Sequence, residues 1–181
     1  GTYLIAGAIT KGNLKIIGID PKIIKTEIDI FKKIGIKIKI DKKAISVTGV
    51  KDINNINLKT SPYPGFPTDL QAQLMVLLCK SKKRSVICEE IFENRFMHVA
   101  ELNRMGANIK TKGNKAFIDG STDFKPAELM ATDLRASVSL VLAALSAKGK
   151  TIINRIYHLD RGYEKIEKKL RNVGAKIKRI N

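Results

Sequence analysis

The stretches YPGFPTDLQAQ (63–73) and MATDLRASVSL (130–140) share the phrase Thr-Asp-Leu-x-Ala. In both, polar residues lead into a mainly apolar run, which is the pattern of an aspartate at the first turn of a buried helix. The phrase opens a longer unit that recurs at a period of roughly 65 residues. Three such units are visible, and they decide the predicted fold.

Each unit has the same order of elements. A helix is followed by a Lys-rich turn, a short β-branched strand, a charged loop, a second helix, a glycine and a final strand. The later elements are clearest in IFKKIGIKIKI (30–40), MGANIKTK (105–112) and VGAKIKRI (173–180). We expect Gly35, Gly106 and Gly174 to close the second helices in a left-handed conformation. The first unit is more degenerate but keeps the order.

Hydrophobic periodicity separates two kinds of helix. One face of the first unit's second helix carries Ile24, Ile28, Phe31 and Ile34, and the corresponding face in the third unit carries Tyr163, Ile166, Leu170 and Val173. These helices are predicted to be half exposed. The segment from Thr132 to Ala147 is apolar or small almost all round, so it is predicted to be buried.

The alternating segments GIKIKIDKKAISVTG and ANIKTKGNKAFIDG predict hairpins that turn at Asp41-Lys42-Lys43 and Gly113-Asn114. Together these patterns predict an α/β domain with threefold pseudosymmetry, built from three helix-strand-helix-strand units. We expect one domain over 1–181, with units at about 1–60, 61–125 and 126–181. Buried first helices form its interior, and mixed sheets and second helices surround them.

Composition limits the class of protein. The 181 residues are 44% hydrophobic, enough for one core. The apolar stretch 3–9 lacks a preceding basic region, and no run approaches the ~20 apolar residues that cross a bilayer, so a soluble chain without membrane partners is expected. The spacing of Cys79 and Cys88 is typical of neither a metal site nor a disulfide framework, which predicts buried, reduced thiols in a cytoplasmic protein.

The formal charge of +17 raises nucleic-acid binding as a rival function. However, the lysines are dispersed over nearly every segment, and no aromatic stacking platform or basic arm accompanies them. We therefore expect solvated basic faces and no nucleic-acid partner. The positive potential would attract small anionic ligands to a cleft.

Asp69 and Asp133 have two interpretations at this point. Each could cap a helix N-terminus, because an aspartate there satisfies free N–H groups and complements the helix dipole. Alternatively, an aspartate held at such a site could take a proton from a substrate hydroxyl.

Four phrases carry a resemblance to a known family: YPGFPTDLQAQ, IFENRFMHVAELNRMGA (91–107), ATDLRASVSLVLAAL (131–145) and RIYHLDRGYEKIEKKLRNVGA (155–175). Their sequences and order resemble the UDP-N-acetylglucosamine 1-carboxyvinyltransferase family, the enolpyruvyl transferases of peptidoglycan synthesis. The sister family, enolpyruvylshikimate-phosphate synthase, is the nearest alternative. A non-catalytic basic binding module is a third interpretation.

The resemblance implies two similar inside-out domains that close on substrates held between them. This chain resembles the C-terminal domain. In the family, a catalytic cysteine and basic residues that hold phosphoenolpyruvate lie in the N-terminal domain, and neither Cys79 nor Cys88 matches that cysteine loop. We therefore expect this chain to need the missing N-terminal domain and to be inactive alone. The implied substrates are UDP-N-acetylglucosamine and phosphoenolpyruvate, with no metal and no organic cofactor.

Residue roles follow from the matched motifs. Asp69 matches the aspartate that contacts the sugar 3-hydroxyl and is proposed to deprotonate it. Arg161 matches an arginine that binds phosphoenolpyruvate, which suits the paired donors of a guanidinium. Ile91 matches a contact of the nucleotide sugar, and Thr68, which precedes Asp69, and Phe92, beside Ile91, are expected to bind substrate with it. The structural alternatives are ordinary core packing for the apolar pair Ile91 and Phe92 and a surface ion pair for Arg161.

Arg95, Asp133 and Arg135 lie in equally well matched phrases and are expected to support the site. The spacing of Asp133 and Arg135 suggests that this carboxylate orients this guanidinium, with a structural salt bridge as the alternative. His98 and His158 are predicted to be structural.

Overall fold

The computed structural model describes residues 1–180. The first unit consists of α1 (Thr2–Ile9), β1 (Asn13–Ile17), a 3-10 turn (Pro21–Ile24), α2 (Lys25–Lys33), β2 (Lys37–Asp41) and β3 (Ala44–Thr48). The second consists of β4 (Asn57–Lys59), a 3-10 turn (Thr68–Leu70), α3 (Gln71–Leu78), β5 (Ser85–Cys88), α4 (His98–Arg104), β6 (Asn108–Lys112) and β7 (Lys115–Asp119). The third consists of β8 (Glu128–Met130), α5 (Leu134–Ser146), β9 (Ile152–Asn154), α6 (Tyr157–Asp160) and α7 (Ile166–Asn172).

The first helix of each unit lies in the interior, as predicted. Helices α1, α3 and α5 contact one another pairwise. Every residue of α3 is buried, and α5 is buried from Ala136 to Ala143. A helix that is apolar on all sides has no polar face that needs contact with water. It can therefore be buried on every side at the centre of the fold.

The second helices cover this centre from outside. α2 buries Ile28 and Phe31, and α7 buries Ile166 and Leu170. The predicted apolar face of the third unit is wrong at its end, because Val173 lies beyond α7 and is exposed.

Three sheets complete the fold. Their strand orders are β1-β3-β2, β4-β5-β7-β6 and β8-β9. The two predicted hairpins are confirmed, since Asp41 pairs with Ala44 and Lys112 pairs with Lys115 across tight turns. β4 pairs with β5 in parallel, and β8 pairs with β9 in the same way, so the sheets are mixed.

The predicted left-handed glycines after the second helices are confirmed, while one predicted strand is wrong. Gly35, Gly106 and Gly174 follow the second helices with φ of +94°, +93° and +100°. In the first two units the next residues form β2 and β6, each of which pairs with the strand that follows it. Residues 175–180 form no strand. Within 1–180 they pair with no strand, whereas β2 and β6 are each paired in a sheet.

Over residues 1–180, no helix combines the length and apolar character that a membrane crossing requires.

Candidate active site

The two repeated aspartates occupy different local structures. Asp133 is the N-cap of α5, and its Oδ1 accepts hydrogen bonds from the backbone amides of Arg135 and Ala136 at 2.7 and 3.0 Å. The cap interpretation is therefore confirmed for Asp133. Asp69 lies inside the 3-10 turn before α3 and makes no capping hydrogen bond, so that interpretation is wrong for Asp69.

The Asp69 carboxylate instead joins the starts of two inner helices. Its Oδ1 lies 2.5 Å from both Nε and an Nη atom of Arg135, which is at the first turn of α5. The expectation that Asp133 orients the Arg135 guanidinium is accordingly wrong. Asp133 binds the main chain of Arg135, and Asp69 binds its side chain.

The geometry leaves Asp69 chemically available. Both contacts with Arg135 use Oδ1, and Oδ2 has no partner among the residues that the structure describes. The side chain is 67% exposed. The Asp69 backbone is also held in place, because its carbonyl accepts a hydrogen bond of 2.9 Å from Nε2 of Gln73. A fixed carboxylate with one free, accessible oxygen suits proton acceptance from a bound hydroxyl.

Arg161 follows α6 at the surface. It forms no ion pair or side-chain hydrogen bond within residues 1–180, so the surface ion pair considered for it is absent there. Its neighbours anchor the segment beside Asp69: the hydroxyl of Tyr163 lies 2.9 Å from the Thr2 hydroxyl and accepts from Gln73 Nε2 at 3.4 Å. Gly162 lies against the Leu134 side chain, so closely that a Cβ there would be 2.8 Å from Leu134. The structure thus brings the Arg161 segment to the starts of α3 and α5.

A buried glutamate that sequence reasoning missed connects three of the other predicted site residues. Glu89 follows β5 and is 3% exposed. Its Oε2 accepts from the Thr68 hydroxyl at 2.8 Å, and its Oε1 accepts from the backbone amides of Ile91 and Phe92 at 3.0 and 3.2 Å. Its only sequence signal is a carboxylate placed directly after the apolar strand SVIC.

Ile91, Phe92 and Arg95 line one side of an open cleft. The Arg95 guanidinium lies over the Phe92 ring, 4.3 Å from its centroid, an arrangement that favours the cation electrostatically. Ile91 is half-buried, but Phe92 is 52% exposed, so ordinary core packing is wrong for Phe92. The cleft measures about 900 Å³ and is lined by residues 89–97, Thr111, Gly113 and Asn114. Asp69, Asp133 and Arg161 do not line it.

The other titratable residues fit structural roles. His98 is buried, and burial lowers the pKa of its imidazole from 6.5 to about 4, although the nearby Asp133 opposes this shift. His158 packs on Tyr157 with ring centroids 4.2 Å apart. Cys79 and Cys88 are buried free thiols, and burial raises the pKa of Cys79 to about 12. Residues 1–180 contain no cluster of His, Cys, Asp or Glu that could hold a metal ion.

The chain matches a known protein family over most of its length. The EPSP synthase (3-phosphoshikimate 1-carboxyvinyltransferase) family matches residues 1–170. The chain is 75% identical over all 181 residues to the UDP-N-acetylglucosamine 1-carboxyvinyltransferase of Pelagibacter ubique, and 54% identical over 180 residues to that of Rickettsia bellii. The match covers 100% and 99% of this chain but 43% of each relative, so the chain spans less than half of their length.

Solved structures agree on the fold. The enolpyruvyl transferase NikO from Streptomyces tendae superposes with a TM-score of 0.91 at 26% identity, covering 98% of this chain and 42% of that one. EPSP synthase from Acinetobacter baumannii gives a TM-score of 0.74 at 19% identity, covering 99% of this chain and 42% of that one. The resemblance and fold class expected from the four phrases are confirmed. The chain therefore belongs to the EPSP synthase family of enolpyruvyl (carboxyvinyl) transferases.

Proposed function

We propose that this chain is the C-terminal-type domain of a UDP-N-acetylglucosamine 1-carboxyvinyltransferase in peptidoglycan synthesis. The complete enzyme transfers the enolpyruvyl group of phosphoenolpyruvate to the 3-hydroxyl of UDP-N-acetylglucosamine and releases phosphate. The names of the Pelagibacter and Rickettsia relatives support this substrate pair. The observation that carries the role of this domain is the Asp69–Arg135 pair, which leaves Oδ2 of Asp69 accessible.

In this proposal Asp69 is the general base. Its Oδ2 accepts the proton of the sugar hydroxyl as that oxygen forms a bond to the enolpyruvyl carbon. Arg135 binds Oδ1 through two N–H groups and so fixes the orientation of the carboxylate. Asp133 fixes the backbone of Arg135, which makes it a support for this pair and not a reacting group.

Arg161 is the proposed phosphoenolpyruvate contact. Its guanidinium forms no competing ion pair within residues 1–180, and paired N–H donors match a carboxylate or phosphate. Thr68, Ile91 and Phe92 contact the nucleotide sugar in this proposal, and Arg95 holds the Phe92 ring in place. The high positive charge of the chain attracts both anionic substrates.

The reaction is an addition followed by elimination of phosphate. The methylene carbon must gain a proton in the addition step, and no residue of this chain is assigned that task. A second domain supplies it, together with the enclosure that excludes water. We place the enzyme in the cytoplasm, which the two free thiols support.

The test uses a chimera in which this chain replaces the matching 43% of the Pelagibacter ubique relative. Phosphate release from phosphoenolpyruvate is measured with UDP-N-acetylglucosamine, and with shikimate 3-phosphate as the competing acceptor. We expect release with the nucleotide sugar only. Asp69→Asn should lower kcat by about 10²- to 10⁴-fold, the usual contribution of a general base.

Two controls define the outcome. The isolated 181-residue chain should show no turnover. Asp119→Ala in β7, whose carboxylate binds Arg84 and Asn108 and no candidate site residue, should leave kcat unchanged. Shikimate 3-phosphate as the preferred acceptor would reassign the substrate. Full activity of Asp69→Asn would remove Asp69 as the base.

A further inference from the structure

We propose that Glu89 is a positioning residue that holds the base-bearing turn and the sugar-contact segment of the site at a fixed separation. The base-bearing turn is residues 68–70, and the sugar-contact segment is residues 91–92. This inference rests on the proposed function for the roles of those two segments. The hydrogen bonds through which Glu89 connects the two segments are observed in the structure and do not depend on the proposed function.

Glu89 receives hydrogen bonds from three separate parts of the chain. Oε1 accepts from the Thr60 hydroxyl just after β4, and from the amides of Ile91 and Phe92; Oε2 accepts from the Thr68 hydroxyl. The four distances run from 2.8 to 3.2 Å. One carboxylate thus connects Thr68, the residue before Asp69, with Ile91 and Phe92, the other two proposed sugar contacts.

All four partners are neutral donors. The neighbouring Glu90 pairs with Lys59 at 2.9 Å, whereas Glu89 has no cation within ion-pair distance among the described residues. The Thr60 hydroxyl accepts the Glu90 amide at 2.9 Å, and so has its proton free to donate to Glu89. A buried carboxylate that accepts four hydrogen bonds is satisfied as an acceptor without a counter-ion.

The hydrogen-bond partners restrict which chemical group can occupy each of the two oxygen positions. Backbone amides can only donate, so the group at Oε1 must be an acceptor. At Oε2 the single partner is a hydroxyl, which can reverse and accept. Glutamine fits the site with its carbonyl at the Oε1 position and its NH₂ facing Thr68. Alanine leaves the amides of Ile91 and Phe92 without their partner, in the half-buried segment beside the cleft.

A purely structural role is the competing explanation, because Glu89 also ties β4 to β5 through Thr60. Asp119 provides the matched control. It lies at the opposite end of the same sheet and accepts from Arg84 Nε at 2.6 Å and from Asn108 Nδ2 at 2.8 Å. Asp119→Ala should lower the Tm without altering substrate binding.

Glu89→Gln, Glu89→Ala and Asp119→Ala are compared in the chimera. Glu89→Gln should stay within about fivefold of the parent in kcat/KM, because every hydrogen bond can be kept. Glu89→Ala should lower kcat/KM for the nucleotide sugar by about 100-fold, since a shift of about 1 Å in a group that positions the substrate has effects of that size. The KM for phosphoenolpyruvate should change little, because Arg161 makes no contact with this network. A Glu89→Ala variant that loses Tm as Asp119→Ala does, with unchanged kinetic constants, overturns the proposal.

Amide hydrogen exchange in the 181-residue chain gives a readout independent of activity. Ile91 and Phe92 should exchange at least about tenfold faster in Glu89→Ala and remain protected in Glu89→Gln, since a lost acceptor exposes the amides to local opening. Unchanged exchange in Glu89→Ala overturns the link even if the chimera is inactive. An inactive parent chimera with the expected exchange pattern refutes the proposed function and keeps the link.

A milder variant covers the case in which Glu89→Ala does not fold. Within the Glu89 network, Thr68→Val removes only the donor to Oε2 and keeps the three hydrogen bonds at Oε1; it also removes the hydroxyl of a proposed sugar contact. It should lower kcat by about tenfold while leaving the Ile91 and Phe92 amides protected, because the base-bearing turn is released and the sugar-contact segment stays bound to Oε1. Parent-like kcat in Thr68→Val overturns the proposal.

Discussion

At the scale of single residues, the candidate site depends on which polar groups form hydrogen bonds or ion pairs with one another. Asp69 and Arg135 are 66 positions apart in the chain, yet they form a short ion pair because two inner helices start at the same end of the fold. Gln73 Nε2 donates hydrogen bonds to the Asp69 carbonyl and to the Tyr163 hydroxyl. The chemistry assigned to Asp69 therefore depends on residues from the second and third units.

His98 should make stability sensitive to mild acid. Its imidazole is buried and its pKa falls from 6.5 to about 4, so the folded state binds fewer protons than the unfolded state between these pH values. Stability is complete above pH 6.5 and falls as the pH drops towards 4. Relative to His98→Leu, the wild type should lose about 2 kcal/mol of unfolding free energy between pH 7.5 and pH 5.

Urea unfolding of both proteins at these two pH values checks this prediction. The difference between the proteins isolates His98 from the carboxylates, which titrate in both. An equal acid sensitivity of wild type and His98→Leu would contradict the prediction.

At the scale of elements, the two repeated helix starts are not equivalent. Asp133 caps α5 through two backbone amides, while Asp69 sits within a 3-10 turn and caps nothing. The phrase Thr-Asp-Leu-x-Ala is thus compatible with two different local structures. Leu134 begins α5 directly, whereas α3 begins only after the turn 68–70.

Stability measurements should separate these two aspartates. Asp133→Ala should cost about 0.5–2 kcal/mol, the usual effect of losing an N-cap. Asp69→Ala should cost less than about 1 kcal/mol, because it removes only an exposed ion pair. Chemical denaturation of the two variants makes the comparison, with Asp133→Asn as the control that retains a capping side chain. A larger loss for Asp69→Ala than for Asp133→Ala would contradict the assignment.

At the scale of the whole molecule, three units share one interior. Helices α1, α3 and α5 pack against each other, and one hydrophobic core takes buried side chains from all three units. No single unit encloses its own inner helix. The units should therefore unfold together and not one after another.

Leu142→Ala tests this cooperativity. Leu142 is buried in α5, and its truncation should lower the unfolding free energy by about 2–5 kcal/mol. A single transition should persist when helical signal and tyrosine fluorescence are followed in parallel. Val173→Ala at an exposed site serves as the control and should change stability by less than about 0.5 kcal/mol. Two separated transitions in Leu142→Ala would show that the third unit unfolds independently.

Much of the architecture could be predicted from local patterns. Apolar residues on all sides marked the inner helix α5, alternation marked the two hairpins, and glycines marked the ends of α2, α4 and α7. These features depend on the period of side chains along a helix or strand, and neighbouring residues are enough to specify them. The strand predicted after Gly174 failed because a strand also needs a partner, which its own sequence does not contain.

The sequence by itself determined the three-unit order, the inner and outer helices and the motifs that identify the family. Only the tertiary structure decided that Asp69 pairs with Arg135, that Asp133 is a cap, and that Glu89 joins Thr68 to Ile91 and Phe92. The physical reason is distance along the chain. A polar side chain binds whichever donor or acceptor the packing of the inner helices brings within about 3 Å, and that neighbour is set by the whole fold.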